Sequence, residues 1–245
     1  MTRPILVFDV NETLLDLAHL EPLFDRLFGD PAAMRDWFAQ LVLYSQAMTL
    51  SGARGDFASL AAAVLRMMAA IRGRPATEED VAELRERFGT MPAHADAAHA
   101  LGMLREAGFR MVTLTNSPLS GTAPSALDRA GLGGYFERQF SVLPTGVFKP
   151  APQTYRLVAE ALGVAPSALC LVACHVWDTM GLQALGGRGA LVTHGVNAPL
   201  PHPAVPQPDL VAPDLTALAR QIVRHWGGDE AAPAARDGAS RAGLL

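Results

Sequence analysis

Cysteine is scarce in this sequence and charge is nearly balanced. Cys170 and Cys174 are its two cysteines, four positions apart in one apolar run. On a strand, residues four apart share a face with their Cβ atoms too far apart to bridge, so a disulfide between them is excluded. Buried free thiols in a reducing cytoplasm are the expectation, and a metal site would need further ligands nearby. A net charge of −4 gives no electrostatic case for nucleic acid or an acidic membrane surface as partner. No apolar run approaches the roughly 18 residues that span a bilayer. The first residues lack the charged and apolar regions of a secretory leader, so a soluble, cytoplasmic protein without a membrane partner is expected. No internal repeat is visible. What the chain does have is hydrophobic side chains, 50% of its 245 residues against 18% charged. That supports a sizeable core and argues against global disorder.

The stretch from Ile5 to Leu15 organises the rest. Ile5-Leu6-Val7-Phe8 reads as a buried strand that ends abruptly on Asp9, and in an open α/β sheet ligands bind at the carboxyl ends of the strands. From Leu17 to Phe88 the spacing is helical throughout. Leu20, Leu23, Phe24, Leu27 and Phe28 make one stripe, Trp37, Leu41, Tyr44 and Met48 a second, and Phe57, Leu60, Ala61, Val64, Met67, Met68 and Ile71 a third. Thr77 followed by Glu78, Glu79 and Asp80 marks a helix start. After Met91, strands and helices alternate. Strands are expected at 109–114, 136–142, 168–173 and 189–193, with a short one at Leu210-Val211. Helices are expected at 95–107, 118–130 and 152–162, with another between Asp178 and Gly189 and a last one capped by Asp214. Alternation of this kind means βαβ units and a parallel sheet. The fold class predicted is α/β, a Rossmann-like parallel-sheet core formed by residues 1–14 and 91–226. An all-helical cap subdomain over residues 15–90 is inserted into it, and the tail, 227–245, reads as disordered.

Four strand ends carry polar groups suited to chemistry: Asp9, Thr115-Asn116, Lys149 and Asp178. Converging on one crevice, they make a working set for nucleophilic catalysis. Lys149 would keep Asp9 charged and attract an anionic substrate, Thr115 and Asn116 would donate hydrogen bonds, and Asp178 would orient Lys149 or a water.

These motifs together resemble the haloacid dehalogenase superfamily, and within it the type II L-2-haloacid dehalogenases. The carriers are Phe8-Asp9-Val10-Asn11-Glu12-Thr13-Leu14-Leu15-Asp16, Leu114-Thr115-Asn116-Ser117-Pro118, Phe148-Lys149-Pro150 with Tyr155, and Trp177-Asp178. The resemblance implies hydrolytic dehalogenation of short 2-haloacids through an ester on Asp9, without cofactor or metal. It implies support of Asp9 by Thr13 and Lys149, and places Val10, Asn11 and Thr115 at the substrate, Thr115 on its carboxylate. It further implies that Asn116 receives the halide, Tyr155 lies near Lys149, Trp177 walls the pocket, and the enzyme forms a homodimer. Phosphatases of the superfamily carry a second Asp two residues after the nucleophile. Here that position is Asn11, which cannot protonate a leaving group, and the paired acid that would help bind magnesium is absent beside Asp178. Two positions depart from the dehalogenase pattern. Phe38 stands where a halide-drawing arginine is expected, and Ala173 and His175 replace a Ser and an Asn. His175 is therefore a candidate to activate or position the hydrolytic water. A phosphatase, or a retired enzyme that binds small carboxylates or a partner, are the alternatives.

Overall fold

In the computed structural model, residues 3–119 and 122–228 are described. Most of the tail read as disordered, from residue 229 on, lies outside them. Strands β1 (Ile5–Phe8), β2 (Met111–Thr115) and β4 (Leu169–Ala173) are buried at every position, which is the pattern of a parallel sheet covered on both faces. With β3 (Arg138–Ser141), β5 (Arg188–Val192) and β6 (Leu210–Ala212) they form a six-stranded sheet in the order β3-β2-β1-β4-β5-β6, every pair parallel. The strand order reverses between β1 and β4, so a crevice opens at their carboxyl ends, where Asp9 leaves β1.

After β1 come α1 (Glu21–Phe28), α2 (Ala33–Ser51), α3 (Phe57–Ile71) and α4 (Glu78–Gly89), all ahead of the helix that leads into β2. Thr77 and Asp80 close a reciprocal capping box on α4, and the Asp56 side chain accepts the Ser59 N–H ahead of α3 (2.8 Å). The buried stripe of α2 runs through Met34, Trp37, Phe38, Leu41 and Ser45. Tyr44, expected on that stripe, is 40% exposed; it lies at the edge of the buried face, whose centre passes through Leu41 and Ser45.

Helix α5 (Ala97–Glu106) leads to β2, α7 (Pro152–Leu162) lies between β3 and β4, α8 (Val176–Gln183) follows β4, and α9 (Leu215–Trp226) closes the described chain with Asp214 as its cap. Two local expectations need correction. The helix read over 118–130 is one short turn, α6 (Ala126–Arg129), because Pro124 interrupts the pattern and Ser125 starts the helix with its own capping box to Asp128. Trp177 and Asp178 are not in a strand-end loop but in the first turn of α8, with His175 as N-cap residue. Cys170 and Cys174 are buried free thiols.

Candidate active site

Asp9 is fixed by backbone first: its N–H donates to the Val172 carbonyl of β4 at 2.9 Å. Each carboxylate oxygen then has its own partner, Oδ1 accepting from Lys149 Nζ and Oδ2 from Thr13 Oγ1, both at 2.7 Å. The Thr13 hydroxyl also accepts the Cys174 N–H at 3.0 Å. A hydroxyl has one proton, so this contact leaves that proton free to point at Asp9.

Lys149 is the chain's single lysine, and its side chain is 1% exposed. Its ammonium satisfies all three donors, on Asp9, on Asp178 Oδ2 at 2.6 Å and on the Leu114 carbonyl at 3.1 Å. Burial is the largest influence on Lys149 and opposes its charge, yet Asp178 and Asp9 together outweigh it and hold the ammonium above its usual range. Burial dominates Asp178 as well and pushes its carboxyl up, against the pull of Lys149 and with added repulsion from Asp9. Tyr155, expected near Lys149, acts one step further out: its hydroxyl donates to Asp178 Oδ1 at 2.6 Å. Burial and the Asp178 charge hold that phenol well above its usual range, so it stays a donor. Gly181 on α8 makes this approach possible, since a Cβ there would collide with the Tyr155 ring.

In front of Asp9 lies a cavity of about 10 Å³, walled by Asn11, Phe38, Phe57, Asn116, His175 and Trp177. That is room for about one water. Asn116 turns its Oδ1 to the Lys149 N–H (3.0 Å), which leaves its amide N–H₂ without a bonding partner among the described residues. Phe38 reaches the cavity from α2 and packs edge-on to the His175 ring, centroids 5.8 Å apart; Trp177 meets that ring at 5.4 Å. Val10 and Thr115 line a neighbouring, larger cavity rather than this one. Thr115 Oγ1 accepts the Ser117 N–H at 3.1 Å, and Asn11 Nδ2 donates to Ser117 Oγ at 3.1 Å.

Both nitrogens of His175 are engaged. Nε2 is 3.1 Å from Glu12 Oε2, and Nδ1 is 3.2 Å from Cys174 Sγ. Glu12 is a site residue that the sequence reading passed over. It is buried, adopts φ +64°, and pairs with Arg35 of α2 at 3.1 Å as well as with His175. A left-handed non-glycine residue holding a buried carboxylate is strained, and its contacts supply the compensation. Glu12, Cys174 and His175 bring three metal-type ligand atoms within 4.8 Å of one another. Burial and the nearby carboxylates keep the thiol well above its usual range, so it is a protonated and poor ligand. Asp9 and Asp178 are bridged by Lys149 Nζ, at 2.7 and 2.6 Å.

His94 and His194 are a second omission. Their rings stack at 3.9 Å, and their Nε2 atoms lie 2.9 and 3.1 Å from the carbonyls of Glu12 and Thr13. Both rings therefore donate N–H to the loop that positions Asp9. His194 is held below its usual range chiefly by burial and next by His94, with the Thr13 carbonyl, Asp96 and Glu12 pulling the other way. A histidine depressed in the folded state takes its proton more readily when unfolded. Its contribution to stability is complete above the unfolded value of 6.5 and is lost as the pH falls below it. Denaturant melts from about pH 7 to about pH 5 should show a smaller acid loss for His194→Gln, which keeps an N–H for Thr13, than for the wild type. An unchanged pH slope would remove His194 from that role.

A parallel α/β fold with a lysine-bridged pair of carboxylates at its switch point defines a doubly wound α/β protein whose candidate site centres on Asp9. The family model of haloacid dehalogenase-like hydrolases matches residues 4–186, and the chain belongs to that family. It is 28% identical to an (S)-2-haloacid dehalogenase of Xanthobacter autotrophicus over 93% of this chain and 98% of that protein. The structure of L-2-haloacid dehalogenase from Xanthobacter autotrophicus with chloropropionic acid covalently bound matches with a TM-score of 0.79 at 26% identity, over 92% of this chain and 99% of that one. A phosphatase of Mycobacterium tuberculosis is 35% identical over 40% of this chain and 46% of its own length.

Proposed function

We propose that the protein hydrolyses 2-haloacids in two displacement steps at Asp9. In the first, an Asp9 oxygen bonds to the halogen-bearing carbon as the carbon–halogen bond breaks and halide leaves with its electron pair. In the second, water attacks the Asp9 carbonyl carbon of the resulting ester, and the acyl–oxygen bond breaks to release a 2-hydroxy acid and a proton. Halide needs no proton to leave, so a site with Asn11 where a phosphatase has its acid suffices. The observation that carries this reading is Asp9 held by Lys149 and Thr13 with Asn11 beside it.

In this reading Thr13 and Lys149 align Asp9, and Asp178 and Tyr155 hold Lys149. Val10, Asn11 and Thr115 bind the substrate on its carboxylate side, the Asn116 amide N–H₂ receives the halide, and Phe38 and Trp177 enclose it. With phenylalanine at position 38, no cation meets the departing halide from α2, and the halogen preference follows from amide and ring contacts instead. The helices over residues 15–90 act as the cap. The reading is metal-independent and cytoplasmic, and it includes a homodimer, for which the exposed Leu43, Tyr44 and Leu50 of α2 offer an apolar face.

His175 orients or activates the hydrolytic water. With Nε2–H on Glu12, its Nδ1 accepts a proton once the Cys174 thiol yields that position. His175→Ala should slow the second step, so that the ester on Asp9 accumulates and is seen as an added mass. Normal turnover with no trapped adduct would end this assignment.

Halide release from L- and D-2-chloropropionate, with and without chelator, tests the function. Chelator-insensitive release is expected. The partial likeness to a phosphatase favours one competing reading, magnesium-dependent phosphate release, and that result without halide release would replace this one.

A further inference from the structure

The space at Asp9 admits about one water, but a second cavity of about 270 Å³ begins at the same loop. It is lined by Val10, Asn11 and Thr115 at the strand ends, by Ala58 of α3, by Leu84 and Phe88 of α4, and by Leu127 of α6. Asn11 walls both spaces, and its 3.1 Å bond to Ser117 stands between them. The two other spaces that adjoin Asp9's pocket differ in character. One carries Glu12, Arg35 and His175 on its wall, and the other carries Arg54 and Asn116 beside Val142, Leu143, Val147 and Phe148. Hydrocarbon is best accommodated in the first cavity, which gathers Ala61, Leu84, Phe88, Leu119 and Leu127 around one space and has the exposed Arg85 and Arg129 in its lining. Among the described residues, Thr113 Oγ1 is a buried polar atom there without a hydrogen bond, a cost that no hydrocarbon occupant increases.

We infer that this cavity receives the side chain of the substrate, and that the substrates are 2-haloacids carrying a hydrocarbon chain well beyond the methyl of 2-chloropropionate. The inference rests on the dehalogenase reading and deepens it. The carboxylate binds at the Val10–Thr115 end, the halogen faces Asn116 and Trp177, and the chain runs past Asn11 toward Phe88. The volume is near the lower bound for small-molecule sites, which suits a linear or lightly branched chain.

The test is kcat/KM for halide release across 2-chloropropionate, 2-chlorobutanoate, 2-chlorohexanoate and 2-chlorooctanoate. The expected result is a rise of about fourfold per methylene, the equivalent of about 0.8 kcal/mol, until the cavity is full. Ala58→Phe and Ala126→Leu, each filling the cavity from a different helix, should abolish that gain and leave 2-chloropropionate within about twofold. Thr113→Val should keep or raise the longer-chain rates; a loss would assign the cavity to an oxygen-bearing side chain and overturn the hydrocarbon class. Release from 2-chloropropionate with a flat or falling wild-type series would overturn this inference and leave the dehalogenase reading standing. So would filling variants that fold and keep the gain. No release from any member of the series would overturn both. If neither filling variant folds, the wild-type series decides alone.

Discussion

Lys149→Met is expected to lower halide release by about a thousandfold or more and to destabilise the fold by about 3–5 kcal/mol. Both effects have one origin. The ammonium bridges Asp9 and Asp178 at 2.7 and 2.6 Å, and Asp178 is 1% exposed. Its removal leaves two carboxylates facing each other with no cation and, for Asp178, no water. Asp178 would then take up a proton to remain buried, and Asp9 would lose the charge that aligns it. Lys149→Arg should not rescue either property, because a planar fork does not direct three donors to Asp9, Asp178 and the Leu114 carbonyl as an ammonium does. Equilibrium denaturation and initial rates of halide release, on the same preparations, check the pair of effects. A variant with wild-type stability, or one that is destabilised yet fully active, would show that Lys149 does not link the two carboxylates as described.

Asp9→Asn should separate what Lys149→Met combines. Halide release should fall below detection, since an amide oxygen is not a competent nucleophile here. Stability should change by no more than about 1 kcal/mol, because Lys149 keeps Asp178 and the Leu114 carbonyl as partners, the amide oxygen can still accept from Lys149, and the amide N–H₂ can donate to the Thr13 hydroxyl. Retained halide release would move the nucleophile elsewhere. A collapse in stability with Lys149 otherwise intact would show that the Asp9–Lys149 contact carries more of the fold than the Asp178 contact does.

The sequence was informative where a signal is local. Buried parallel strands announce themselves as short branched runs, and a run that stops on Asp9 or Thr115 marks the end of the sheet where ligands bind. The capping box at Thr77 and the cap at Asp214 are equally local. Contacts between distant segments were not legible. Glu12 joins Arg35 and His175 across the crevice, and nothing in its neighbourhood gives away a left-handed backbone in a residue with a long side chain. His94 and His194 meet only because the segment before α5 and the loop after β5 converge on the carbonyls of Glu12 and Thr13. Tyr155 falls on Asp178 rather than Lys149 because its reach depends on the packing of α7 against Gly181. One compositional signal was available: a chain with a single lysine, placed between Phe148 and Pro150 in an apolar setting, singles that residue out. The short α6 shows the converse failure, in which helical spacing over 118–130 was trusted across Pro124.

Turnover of 2-chloropropionate in ¹⁸O-labelled water, with enzyme in excess over substrate, tests the ester on Asp9 most directly. The oxygen of the first 2-hydroxy acid should come from the Asp9 carboxylate and be unlabelled, while the peptide containing Asp9 gains the label. Label in the hydroxyl of the first product, with none on Asp9, would mean that water attacks the carbon itself and would contradict the two-step account.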